Sequence, residues 1–188
     1  MYAMDSPVKF TDNDGITLAY RTIGDGPIDI VFVPMWASNI DQYDDYPPLA
    51  NAFESMTSFA RVILYDRRGS GLSDRLCGVA TLEKGMDDLD AVLEAAGAKQ
   101  VTLMGFNESG SLCCLYAATH PEKVRSLVLY GTYETTTWHE DYPWGQKPDE
   151  REFQIEAIRQ FWGVEEAGVL LLNPSGLGDR AFAHWAVR

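Results

Sequence analysis

The residues best placed to do chemistry lie at 105–110, where the sequence reads Gly-Phe-Asn-Glu-Ser-Gly. An apolar run that begins at Val101 precedes them, and apolar residues at helical spacing follow them as far as Thr119. The pattern predicts a buried strand, a sharp turn and a helix. A strained strand-to-helix turn of this kind exposes the side chain at its tip, where a serine hydroxyl is a candidate nucleophile. The residue at the tip here is Asn107.

Asn107 suits the turn better than it suits nucleophilic catalysis. Its carboxamide nitrogen is a poor nucleophile, because the lone pair is delocalised. Asn adopts a positive φ more readily than most residues, so the turn can persist without a nucleophile. In a second register Ser109 occupies the tip and is the nucleophile. We favour the first register, because the second places Asn107 and Ser111 where glycines are expected and lengthens the strand by two residues.

Composition and charge exclude several classes of partner. The chain has 188 residues, 46% of them hydrophobic, which is enough for one domain with a substantial core. Its formal net charge of −13 repels nucleic acid and anionic membranes. No apolar run approaches the roughly 18 residues of a membrane span, and residues 1–10 lack the order of a signal peptide. We therefore expect a cytoplasmic protein.

The cysteines do not form a recognisable disulfide framework, and the histidines do not form a recognisable metal-binding pattern. The cysteine count is odd, and the histidines have no spacing typical of metal ligands. No metal and no other cofactor is therefore expected. The residues concerned are Cys77, Cys113, Cys114, His120, His139 and His184.

The remaining patterns predict an α/β fold. Asp14-Gly15 between two strand-like runs predicts a hairpin over residues 8–23. Buried strands and amphipathic helices then alternate, which favours a mostly parallel, doubly wound sheet with helices on both faces. Strands are predicted at 28–33, 61–66, 101–104 and 124–132, and helices at 48–56, at 81–96 and from the 105–110 turn to 119.

Five sequence blocks together resemble the α/β-hydrolase family, in its order and spacing. They are VFVPMWASN at 31–39, FARVILYDRRGSGLSD at 59–74, TLEKGMDDLDAVLEAAG at 81–97, LMGFNESGS at 103–111 and AATHPEKVRSLVLYGTY at 117–133. Within that family the chain is most similar to the hydrolase-type domains found N-terminal to bacterial class III adenylate cyclases. The resemblance therefore implies a fused or associated cyclase domain as a partner.

The resemblance also implies roles for individual residues. Asn107 stands at the nucleophile position, and the backbone N–H groups of Glu108 and Trp36 match the two oxyanion-hole donors. Family members commonly have Gly where Met35 stands, so its side chain is expected to crowd that hole. The loop at 67–73 resembles a family segment whose role is structural.

The sequence changes character after the hydrolase core at 1–133, where helical stretches at 149–161 and 181–187 predict a helical lid at 134–188. Trp36 and Phe106 of the core, with Trp138 and Trp144 of the lid, are expected to bind a small apolar or ester-like ligand. The last strands, the triad acid and the histidine of the family have no match in these 188 residues.

Such a sheet is incomplete at its C-terminal side. The strand at 124–132 is then an unpaired, apolar edge, which predicts either cover by the lid or a homodimer through this edge. A monomer at high concentration would favour cover by the lid.

Two classes of function are compatible with these residues. One is an active ester hydrolase that uses Ser109 or is completed by a longer native chain. The other is a catalytically impaired domain that binds a small ligand and regulates an attached domain. We predict the second, because Asn107 holds the nucleophile position and no triad partner is found.

Overall fold

One six-stranded sheet organises the residues that the structure, a computed structural model, describes: 6–164 and 178–186. The strands are β1 (Lys9–Asn13), β2 (Ile16–Ile23), β3 (Ile28–Val33), β4 (Ala60–Tyr65), β5 (Val101–Phe106) and β6 (Val124–Tyr130). Their order in the sheet is β1-β2-β4-β3-β5-β6. β2 pairs antiparallel with β1 and β4, and the other pairings are parallel. The predicted α/β class and mostly parallel sheet are confirmed.

The helices lie close to their predicted positions. They are a 3-10 helix (Ile40–Asp45), α1 (Pro47–Thr57), α2 (Leu82–Ala95), α3 (Ser109–Thr119), α4 (Pro148–Phe161) and α5 (Arg180–Ala186). The Thr81 hydroxyl caps α2 by accepting the Lys84 N–H at 3.3 Å. Gly97, with φ of 66°, follows the end of α2. Of the helix predicted near the C-terminus, Val187 lies outside the described residues.

Alternate side chains of β3 show that helices cover both faces of the sheet. Val31 and Val33 belong to a buried cluster with residues of α2 and α3. Phe32 points the other way, where its ring contacts Phe53 of α1 at 5.2 Å and Tyr43 of the 3-10 helix at 6.0 Å. Because β3, β4 and β5 are parallel, they end at the same edge of the sheet. The loops that follow them meet there.

β6 lies at one side of the sheet, and within the described residues it pairs only with β5. Its side chains are unusually exposed for a strand of this composition. Leu127, Val128 and Leu129 are 37%, 44% and 41% exposed, and Tyr130 is 71% exposed. The predicted pairing of this edge with a second chain stays a prediction.

The chain forms two compact units, Met1–Glu134 and Thr135–Arg188. The first contains the whole sheet, and the second contains α4 and α5. Before α4, the Trp138 N–H donates to the Gln146 carbonyl at 2.9 Å. None of the described helices is long and apolar enough to cross a membrane.

Candidate functional site

The turn between β5 and α3 has Asn107 at its tip. β5 ends at Phe106, α3 begins at Ser109, and the exposed Asn107 has a φ of 49°. Asp14 is the other non-glycine residue with positive φ in the described part of the chain. The Asn107 N–H donates to the carbonyl of Tyr130 at 3.0 Å, which ties the strained tip to the end of β6.

Two glycines allow α3 to pack closely at this turn, Gly105 against β5 and Gly110 against the segment after β6. A Cβ on Gly105 would lie 2.7 Å from the Cys113 sulfur of α3. A Cβ on Gly110 would lie 2.1 Å from Oγ1 of Thr132. Both distances are far below van der Waals contact, so a larger residue would push α3 away from β5 at position 105 and away from Thr132 at position 110.

Ser109 closes the turn and does not occupy its tip. The residue is buried, and its hydroxyl accepts the Phe106 N–H at 2.8 Å and donates to the Phe106 carbonyl at 2.9 Å. The structure thus has the strained residue at Asn107, as in the first register. In the second register that residue would have been Ser109.

Two side chains of the turn reach the loop that follows β3. The Trp36 backbone N–H donates to Oε1 of Glu108 at 2.5 Å. The Asn107 amide Nδ2 donates to the Met35 sulfur at 3.2 Å. The structure therefore brings Met35, Trp36, Asn107 and Glu108 together. The Trp36 amide already has a carboxylate as its acceptor.

The aromatic residues predicted to bind ligand fall into two groups. Phe106 is half-buried, and its ring lies 5.2 Å from Phe32 and 5.8 Å from Tyr130. Trp138 and Trp144 belong to the second unit, where Trp144 packs on Tyr142 at 4.8 Å. A ligand-binding role for these two tryptophans stays a prediction.

The loop that follows β4, residues 66–74, is held by buried polar contacts. The Asp66 carboxylate accepts the N–H groups of Ile40 at 3.0 Å and Leu72 at 2.9 Å. Burial raises the pKa of Asp66, and these hydrogen bonds oppose that shift. The Ser73 hydroxyl donates to the Asp66 carbonyl at 2.7 Å and accepts the Ala19 N–H at 2.9 Å. The loop is thereby fixed to β2 and to the segment after β3.

No imidazole of the first unit's described residues lies beside Asn107. His120, the one histidine of that unit, lies at the far end of α3, whose 11 residues span about 16 Å. There its ring packs on Tyr116 at 4.7 Å. Within the described residues, no group of three or more His, Cys, Asp or Glu side chains could hold a metal ion.

Sequence reasoning missed two side-chain roles. It assigned Glu108 only through its backbone N–H, and it overlooked the Asp66 carboxylate. For Glu108 the available signal was an acidic side chain beside the tip of a turn that faces another loop. For Asp66 the signal was a carboxylate directly after a buried strand and before a glycine-containing loop.

This arrangement agrees with the comparison to known families. Residues 30–161 match the model of the alpha/beta hydrolase fold, which is more than half of the chain. The chain belongs to the α/β-hydrolase fold family. A curated relative, the bifunctional esterase/perhydrolase DCH of Acinetobacter calcoaceticus, is 29% identical over 122 residues. That match covers 63% of this chain and 42% of the relative, so the chain spans less than half of that protein.

Solved structures show the same fold at lower identity. An esterase from Exiguobacterium antarcticum matches with a TM-score of 0.72 and 22% identity, covering 95% of this chain and 70% of that one. A bromoperoxidase from Bacillus anthracis matches with a TM-score of 0.70 and 23% identity, covering 86% and 59%. The structural likeness concerns the fold. The relatives include hydrolases and esterases.

Proposed function

We propose that this chain binds a small apolar, ester-like ligand at the turn after β5 without hydrolysing it. The observation that carries the proposal is Asn107 at the positive-φ tip of that turn. In the hydrolase family this position belongs to the nucleophile. A carboxamide retains the turn and supplies hydrogen-bonding groups, but it does not attack an acyl carbon.

The surroundings of Asn107 support the loss of catalysis. Ser109 is the alternative nucleophile, but its hydroxyl is buried and bonded to the Phe106 backbone. His120, the candidate base within the first unit, lies at the opposite end of α3. Removing the nucleophile or the base of a serine triad lowers kcat by about 10⁶ in a well-studied protease. Rates near the uncatalysed background are therefore expected from this chain.

The same surroundings support binding. The contact between the Trp36 amide and Glu108 indicates that this amide can donate to an oxygen ligand. The half-buried ring of Phe106 offers an apolar surface next to the tip. Together they fit an ester or acyl group, with its oxygen on the amide and its alkyl chain on the ring.

The regulatory part of the proposal concerns an attached domain. It is supported by the sequence blocks that resemble hydrolase-type domains N-terminal to class III adenylate cyclases. We propose that ligand occupancy at the turn is passed to such a cyclase domain. The test is to fuse a class III cyclase catalytic domain after this chain and to measure its activity with and without an ester ligand. Equal activity over the full range of ligand concentration would contradict this part.

The test of catalytic loss uses p-nitrophenyl butyrate. The chain and its Asn107→Ala variant should release p-nitrophenol at the same rate, within error of the rate without protein. Saturable turnover that disappears in Ser109→Ala would overturn the proposal and assign the nucleophile to Ser109. Asn107→Ser in a longer chain that includes the family's later strands is the companion. Restored hydrolysis there would show that the site lacks only its nucleophile.

A further inference from the structure

The Glu108 side chain has an unusual partner, the backbone amide of Trp36. We propose that Glu108 is an internal ligand of this site, whose carboxylate occupies the place of the ligand's acceptor oxygen. A ligand must then displace Glu108 before it can reach the amide. The proposal adds to the binding function above a state in which Glu108 blocks the Trp36 amide. Its statements about ligand binding rest on that proposed function.

The contact joins two loops that are distant in sequence. Glu108 and Trp36 are 72 residues apart, as are Asn107 and Met35, whose side chains form the neighbouring contact. Both contacts run from the turn after β5 to the loop after β3. A hydrogen bond from an N–H to a carboxylate is roughly twice as strong as one between neutral groups. The Glu108 contact is therefore the stronger of the two bridges across the site.

Local structure does not explain where the Glu108 carboxylate lies. Glu108 is the N-cap residue of α3, but its side chain makes no capping hydrogen bond to that helix. A carboxylate near a helix N-terminus is favourable through the helix dipole, and that effect does not require contact with Trp36. The side chain can therefore leave the amide without disturbing the helix. This is the property that a displaceable internal ligand needs.

The geometry identifies the class of ligand that competes with Glu108. The site holds a carboxylate oxygen on a backbone amide, so short-chain carboxylates and neutral acyl compounds both present a suitable acceptor. Butyrate and butyramide share the same alkyl chain and differ in charge. Removing the Glu108 carboxylate from the Trp36 amide should strengthen the binding of both probes. If Glu108 acted only through its charge, without occupying the amide, its removal would favour only butyrate, because like charges repel.

The experiment follows the Trp36 amide resonance of the ¹⁵N-labelled chain. In Glu108→Ala without ligand, the Trp36 amide proton should move upfield, since its charged acceptor is gone. Butyrate and butyramide should each bind about tenfold more tightly than to the unaltered chain, the scale expected for one lost charge-assisted hydrogen bond. Glu94→Ala removes an equal charge from the exposed face of α2 and is the matched control, expected to change nothing.

Each other result counts against the proposal. An unmoved Trp36 resonance in Glu108→Ala would show that the contact does not exist in solution. Tighter binding of butyrate alone would assign the effect to charge and show that Glu108 does not occupy the amide. If neither butyrate nor butyramide bound to any variant, the proposal that a ligand displaces Glu108 would be overturned. Glu108→Gln keeps the side-chain length and is used if the alanine variant does not fold. Its neutral hydrogen bond to the Trp36 amide is weaker than that of the carboxylate, so both probes should bind more tightly, but by less than in Glu108→Ala. The ligand-free shift is independent of ester turnover, so failure here is distinguishable from failure of the proposed function.

Discussion

The loop after β4 and the turn after β5 leave the same edge of the sheet but place their polar groups differently. In the loop, Asp66, Arg68 and Ser73 are buried, and each has hydrogen-bond partners on another element. In the turn, Asn107 is exposed and Glu108 is half-buried. Their side chains reach the neighbouring loop after β3. The loop is held by buried contacts to other elements, whereas the side chains of Asn107 and Glu108 each contact one group of the neighbouring loop. The proposed ligand would replace the second of these contacts.

This difference separates residues that maintain the fold from residues available for binding. A buried polar group that loses its partner retains its full desolvation cost, so the loop after β4 tolerates little change. An exposed side chain can exchange its partner for water or a ligand at small cost. Substitutions in the loop should therefore lower stability strongly, and substitutions in the turn should alter binding with small effects on stability.

The largest expected effect is at the ion pair between the loop and α2. Asp88 accepts from Arg68 Nε at 2.7 Å and Nη2 at 2.6 Å, and from Asn13 Nδ2 at 2.7 Å. Both partners of the ion pair are almost fully buried. Asp88→Ala leaves the guanidinium buried and unpaired, so we expect a loss of about 3–5 kcal/mol in the free energy of unfolding. Urea denaturation measures it.

The adjacent residue supplies the control. Asp87→Ala removes the same charge from an exposed position on α2 and should change the free energy of unfolding by less than about 0.5 kcal/mol. The double variant Arg68→Met with Asp88→Leu should recover part of the loss, because no charge is then left buried. A loss in Asp88→Ala no larger than that in Asp87→Ala would break the contrast between loop and turn.

The elements of the fold could be predicted from the sequence because local signals agreed with tertiary structure. Asp14-Gly15 defined the hairpin, and both residues have positive φ, as a type I′ hairpin turn requires. Nearly continuous apolar runs marked β3 and β4, since strands covered on both faces need no polar alternation. The strand order could not be predicted in this way. It depends on pairings such as that of β3 between β4 and β5, which leave no local trace.

The site could be predicted only in part for a related reason. The position of Asn107 followed from the spacing of its glycines and from the preference of Asn for positive φ. The contact between Glu108 and Trp36 spans 72 residues and depends on which way one side chain turns. Likewise, the role of Asp66 depends on the N–H groups of Ile40 and Leu72, which only the folded chain brings to it.

A second substitution tests how tightly the loop after β4 is packed. Gly71 has a φ of 54°, and a Cβ there would lie 2.1 Å from Oδ2 of Asp66. Gly71→Ala should lower the free energy of unfolding by about 2–4 kcal/mol, because it combines backbone strain with displacement of a buried carboxylate. Gly78 also has positive φ, of 69°, with nothing within 4 Å of its Cβ position.

Gly78→Ala therefore isolates the cost of the backbone conformation, about 1 kcal/mol. Thermal or urea unfolding of the two variants gives the packing contribution of the Asp66 contact by difference. Equal losses in both variants would mean that Asp66 moves aside freely. The loop would then be as adaptable as the turn after β5.

The smallest expected effect is at the tip of that turn. Asn107 has a φ of 49°, a conformation that glycine adopts most easily, Asn less easily and Ala with a cost of about 1 kcal/mol. Asn107→Gly should leave the urea midpoint equal to or slightly above that of the unaltered chain. Asn107→Ala should lower the midpoint, because its free energy of unfolding should be about 1 kcal/mol below that of the glycine variant. If Asn107→Gly instead cost as much as Gly71→Ala, the Asn107 contact with Met35 would be essential to the fold, and the turn could not be described as a replaceable binding surface.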